Sequence, residues 1–372
     1  MARHFLLSAA ARSLSIGKVM RMSDRGAANV FARLRWPTTD GKPVCPNCGC
    51  TACYDCRRGA HLRWRCQACG SDFSLTSGTL FSSHKLPLKT YHLSIVLFCN
   101  EVKGKSMLAL SRDLGVQYKT AFVLAHKLRE AMAASLRGLK IGGEGKVAEI
   151  DGAYFGGHVR PENLAADRVD RRLAENQSGK RKVVVVVRER DGRTLPSVFP
   201  SEDAATSFIR SRVAKGTVVH ADESPAWNSL HAKFSMKRIN HQEGYSIDDA
   251  CTNGAESFFS RMRRGELGHH HHIAGIYFAR YAQEAAWRED HRRIGNGDQA
   301  EGVIGLAMGL GPSIDFCGYW SGRQRAKSRA TSWSRPPRCV RSYPSPGSTS
   351  RERSCEPTHA CERRLPVDPS PS

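Results

Sequence analysis

The sequence predicts an α/β domain preceded by a small metal-stapled ribbon and a helix-turn-helix. Three observations carry this. Cys45-Pro-Asn-Cys48 and Cys66-Gln-Ala-Cys69 stand 17 residues apart; each CxxC turn aims two sulfurs at one tetrahedral ion, and the segment between them is long enough for a hairpin that returns to it. Residues 183–187 are five consecutive valines, wrong for a helix and right for a buried strand, in a region where strands alternate with helical periodicity. The chain also carries 57 Lys and Arg against 35 Asp and Glu, a net charge of +22, the electrostatic footprint of a nucleic-acid binder.

Taken in order, residues 1–40 read as a basic N-terminal arm: 1–22 hold Arg and Ser but no acid, a composition that suits a transit peptide as well as contacts to DNA phosphates. The ribbon occupies 41–84, with Cys45, Cys48, Cys66 and Cys69 as the expected Zn²⁺ ligands. Cys50, Cys53 and Cys56 lie inside it, and the CxxC of Cys53 and Cys56 has no second pair at ribbon spacing. Residues 73–85 read as a strand and turn. Helical patterns follow over 86–102, 106–115 and 117–134, and the Gly115 turn between the last two defines a helix-turn-helix region, 86–137. Gln117, Tyr118, Lys119 and Thr120 then stand where side chains reach base edges in the major groove, although a helical hairpin used only for packing has the same pattern.

A glycine-rich linker over 138–145 opens a different region, an α/β domain expected over 146–295. Strands are expected at 147–151, 182–188 and 217–221, a polar loop at 160–181, and helices at 201–213, 254–264 and 276–292. Residues 296–320 read as a C-terminal extension. From 321 to 372 the chain is rich in Ser, Pro and Arg with few aliphatics, too little apolar surface to offset its ordering entropy, so a disordered basic tail is expected, either a DNA tether or the product of a reading-frame change. No run nears the roughly 18 apolar residues that span a bilayer, and no apolar leader precedes a small-residue cleavage site. A soluble protein of a reducing cytoplasm with no membrane partner is expected, membrane-surface binding being the rival reading of the charge.

Three acids stand out. Asp151 and Asp222 each follow an expected strand, and Glu256 opens a helix after the loop Cys251-Thr-Asn-Gly-Ala. Carboxylates gathered at one sheet edge cannot all ionise without a counter-charge, and hard oxygen ligands with open positions suit Mg²⁺ or Mn²⁺ and phosphoryl transfer. Glu149, Glu223 and Asp248 read as solvated charges. Four adjacent histidines, His269–His272, cannot all face one ion, so DNA contact or solvation is expected of them. Tyr154, Phe155, Trp227, Phe258 and Phe259 are candidates to stack on unpaired bases, with core packing the expected role of the last two.

Asp151-Gly-Ala-Tyr-Phe-Gly-Gly157, His220-Ala-Asp-Glu223, Thr252-Asn-Gly-Ala-Glu-Ser-Phe-Phe259 and Arg263-Arg-Gly265 together resemble the transposases of ISXO-type bacterial insertion sequences, from about the ribbon to Trp320. The resemblance implies an RNase H-like catalytic domain in which Asp151, Asp222 and Glu256 form a DDE triad that holds Mg²⁺. Asn253 is an alternative or supporting ligand, because some members of the family carry Asn in the third position. Arg263, with Arg264 beside it, implies a grip on the DNA end. The partners implied are terminal inverted repeats, target DNA and further copies of the chain, in a bacterial, nucleoid-associated setting. A non-enzymatic zinc-ribbon regulator and a nuclease of the same fold are the rival readings.

Overall fold

The computed structural model describes residues 5–57, 62–83, 85–156, 162–169, 181–240, 244, 246, 250–271 and 273–316. All lie in one packed unit, Met1–Ser334. The tail over 321–372, most of the polar loop over 160–181, Gly157, Asp248 and His272 fall outside the described residues.

The chain opens with helices α1 (Ile16–Arg21) and α2 (Asp24–Arg35), where Ser15 and Ser23 accept the Lys18 and Gly26 N–H groups as N-caps. Val19 and Phe31 are fully buried. The expected basic arm is therefore, from Ile16 on, a packed helical pair; its apolar positions recur at helical spacing among the arginines. Strands β1 (Cys53–Asp55), β2 (Arg63–Cys66) and β3 (Asp72–Ser74) form the antiparallel ribbon in the order β1-β2-β3. Trp64 on β2 meets Trp36 edge-on at 5.6 Å and Phe73 at 5.8 Å, fastening ribbon to helix.

Helices α3 (Leu88–Asn100), α4 (Met107–Leu114) and α5 (Tyr118–Ala134) follow. Ser106 caps α4 at its start, and Gly115 ends it at φ +62°, a left-handed conformation that a side chain disfavours. Gln117 is the residue before α5, and Gln117, Tyr118 and Lys119 are exposed.

The second half is a five-stranded sheet, β4 (Val147–Phe155), β5 (Lys182–Glu189), β6 (Thr194–Phe199), β7 (Val218–Asp222) and β8 (Ser235–Ile239), ordered β6-β5-β4-β7-β8. β5 runs antiparallel to both β4 and β6, while β7 is parallel to β4 and β8 parallel to β7. The edge strands β6 and β8 were not expected: β6 carries Pro196, tolerated only where no ladder bond is needed, and β8 is polar along one side. Helix α6 (Thr206–Arg212) joins β6 to β7, and α7 (Asn253–Gly265) and α8 (Phe278–His291) pack on the sheet. Helix α9 (Asn296–Gly309) returns to α2, α3 and α5. Most of the expected C-terminal extension is thus part of the N-terminal helical core, with Ala300, Val303, Ile304 and Ala307 fully buried.

Candidate functional site

The ribbon brings Cys45, Cys48, Cys66 and Cys69 together, all four Sγ atoms within 4.8 Å of one another. Cys45 and Cys69 Sγ are 3.6 Å apart, Cys48 and Cys66 Sγ 3.5 Å. Zn–S bonds near 2.3 Å at tetrahedral angles separate sulfurs by about 3.8 Å, so the donor set fits zinc. Cys69 is prepared as a thiolate: the Ser71 hydroxyl and backbone N–H and the Asn47 amide hold its pKa down to about 6. Cys50 and Cys53 instead turn toward the Ala52 and Cys50 carbonyls.

In the sheet, β4 and β7 pair with Glu149 opposite His220 and Ile150 opposite Ala221. Asp151 and Asp222 are the next residues on the two strands, just past the last pair of that ladder, and near enough for the charge of Asp222 to act on Asp151. Asp151 is not at a strand end as expected: it is the fifth residue of β4, which runs on to Phe155 because 152–155 still pair with β5. Asp222 is the last residue of β7. Its Oδ1 accepts from the indole N–H of the fully buried Trp227 at 2.7 Å and from the Ser224 N–H at 3.3 Å. Glu256 projects from the first turn of α7. Burial, chiefly, and then the charges of Asp222, Glu256 and Glu202 push Asp151 up to about 7 against the Gly152 N–H. A carboxylate raised by three others marks a place where positive charge is wanted. Among the described residues, only the four cysteines bring three or more ligand atoms within 4.8 Å, so the acids do not close into a ready-made ligand cage.

Glu202 was not anticipated. It lies just before α6, its Oε2 accepts from the Ser224 hydroxyl at 3.0 Å, and its Oε1 would sit 2.6 Å from a Cβ on Gly152. Its only sequence signal is an acid at the start of the 201–213 helical pattern. Asn253 opens α7 and is exposed. Arg263 and Arg264 are exposed on the last turn of α7, Arg263 lying 5.6 Å over the Phe155 ring.

Three other expectations are corrected. Phe155 and Trp227 are buried along with Phe258 and Phe259, so of the five aromatics only Tyr154, 43% exposed, is open to a base. Glu149 is not solvated but 3% exposed, drawn in by the docking of α7. Glu223 is exposed as expected. His269 and His270 close the helical turn after α7; burial lowers His270 to about 4, and its ring meets Tyr281 at 4.8 Å, so this histidine packs rather than standing in solvent.

Residues 22–72 match the transposase zinc-ribbon domain and 143–290 the ISXO2-like transposase domain, together more than half of the chain. The chain carries a transposase zinc ribbon and an ISXO2-like transposase domain. An uncharacterized protein in transposable element ISH50 of Halobacterium salinarum is 26% identical over 256 residues, covering 65% of this chain and 83% of that one. No solved structure matches. The family's transposase domain spans β4 to α8 and so contains Asp151, Asp222 and Glu256, while its ribbon domain contains all four clustered cysteines.

Proposed function

We propose that this chain binds the terminal inverted repeats of an insertion sequence and catalyses metal-dependent strand cleavage and strand transfer on an RNase H-like domain. The observation that carries the reading is the placement of Asp151 and Asp222 just past the last pair of the β4–β7 ladder, with Glu256 close enough for its charge to raise Asp151. The sheet supports it: three antiparallel strands in a meander followed by two parallel ones, the first strand central.

Asp151, Asp222 and Glu256 would hold Mg²⁺ or Mn²⁺, which supplies charge neutralisation and an activated oxygen nucleophile for in-line displacement at phosphorus. Trp227 and the Ser224 N–H fix the Asp222 carboxylate. The Gly152 N–H, 2.7 Å from Asp151 Oδ1, orients the first acid. Arg263 and Arg264 take the phosphates of the DNA end, Gln117 and Lys119 on α5 reach into its major groove, and the ribbon steadies that helical unit around Zn²⁺. Two ends must be joined, so the working form is an oligomer.

The test is strand transfer of a labelled transposon-end oligonucleotide in Mg²⁺, comparing wild type with Asp222→Asn and Glu256→Gln. Joined product lost in both variants is the expected result. Cleavage without joining would make the chain a nuclease, and end binding without cleavage in any form would make it a regulator.

A further inference from the structure

Helix α7 carries Glu256 but lacks a side-chain cap of its own: the residue before it, Thr252, makes no capping bond to its N–H groups. The cap comes from the sheet. Glu149, two residues before Asp151 on the same face of β4, accepts the Ala255 N–H at 3.0 Å through Oε2. The contact requires glycine at 254, where a Cβ would stand 2.6 Å from that oxygen and 3.3 Å from Arg188. Arg188 donates to the Gly254 carbonyl at 3.0 Å, clamping the same turn from β5. The far oxygen of Glu149 faces Arg190 at 3.6 Å. Arg190 and the Cys251 N–H both donate to His220 Nδ1, at 3.3 and 3.2 Å, so the loop before α7 is pinned to β7 as well.

We propose that Glu149 is a positioning residue that sets Glu256 against Asp151. This rests on the transposase reading for its catalytic consequence, but its structural half stands alone. Glu149 and Asp151 share one face of a strand and are locked in mutual position by the β4 pleat. A bond from Glu149 to the residue immediately before Glu256 therefore transfers that rigidity to the third acid. Positioning of this kind is sensitive, since a misplacement of about 1 Å can cost on the order of a hundredfold in rate.

The experiment uses the full chain with Glu149→Ala, Glu149→Gln and Gly254→Ala. The amide of glutamine retains an oxygen that accepts from Ala255, so Glu149→Gln is the rescue control. Hydrogen exchange of a peptide covering 252–259 is expected to accelerate about tenfold or more in Glu149→Ala and Gly254→Ala, and to stay near wild type in Glu149→Gln. Strand transfer should fall roughly 10- to 100-fold in Glu149→Ala with end-DNA affinity within about twofold, and Mn²⁺ binding should weaken in parallel. Unchanged exchange in Glu149→Ala overturns the proposal. So does faster exchange with wild-type strand transfer and Mn²⁺ affinity. A wild type that never joins ends defeats the transposase reading instead, and exchange with Mn²⁺ affinity then decides the role of Glu149.

Discussion

At the scale of single residues, the site combines carboxylates of opposite upbringing. Asp222 is held by donors, whereas Asp151 is raised to about 7 from an ordinary value of 3.8 by burial and its acidic neighbours. A raised folded-state pKa means that the folded chain binds the proton more tightly than the unfolded one. The resulting stability is complete below about pH 4 and is lost as pH rises through 7. Metal-free Asp151→Asn should therefore be more stable than wild type at pH 8, by on the order of 4 kcal/mol, with little difference at pH 4; calorimetry at the two pH values tests this, and equal gains at both would refute it. Trp227→Phe removes the indole donor to Asp222 while keeping the buried ring. Strand transfer should drop about tenfold with end binding unchanged, and a matching loss of binding would point to misfolding instead.

Elements respond as units. Chelation of zinc, or Cys66→Ser, should release the ribbon, and because Trp64 packs between Trp36 and Phe73, tryptophan emission should shift to the red while the far-ultraviolet signal of the helices persists. A flat emission spectrum on metal removal would show that the ribbon stands without its ion. On α5, Lys119→Ala should weaken DNA binding for every sequence and lower the salt slope by about 1, whereas Gln117→Ala should cost about 1–3 kcal/mol on the cognate end alone. Titrations at several salt concentrations separate the two. The elements were legible where periodicity is local: α4, with its serine cap and terminal Gly115, and the five valines of β5 could be read directly. β6 and β8 could not, because an edge strand with a proline or a polar side carries a weak pattern, and the N-terminal helices were hidden by their arginines.

Across the whole molecule, the helical half and the sheet half meet through a buried ion-pair network. Arg129 on α5 donates to Glu284 on α8 at 2.5 Å, its side chain 0% exposed, and Arg288 bonds Glu284 at 2.7 Å while donating to the Phe98 and Glu101 carbonyls at the C-terminal end of α3. Burial pushes Glu284 up, yet Arg129 and Arg288 outweigh it and hold it below the usual carboxylate range. Glu284→Ala would leave two buried guanidinium groups without their carboxylate, and unfolding in urea should register a loss of about 3–5 kcal/mol. A loss under about 1 kcal/mol would mean that water reaches the pair.

What the sequence determined by itself is local chemistry. Cysteine spacing is set by the turn that each CxxC must form, so the zinc ribbon could be read without its fold, and the acids Asp151, Asp222 and Glu256 could be singled out by their place in strand and helix patterns. Tertiary structure decided what depends on distant segments meeting. The register of β4 against β7 brings two acids within reach of each other's charge, α6 brings Glu202 beneath Gly152, and the docking of α7 turns Glu149 from an ordinary charge into a buried cap. Burial and pairing across 50 or more residues of chain leave no periodic trace, because each is fixed by packing between elements rather than by neighbours along the backbone.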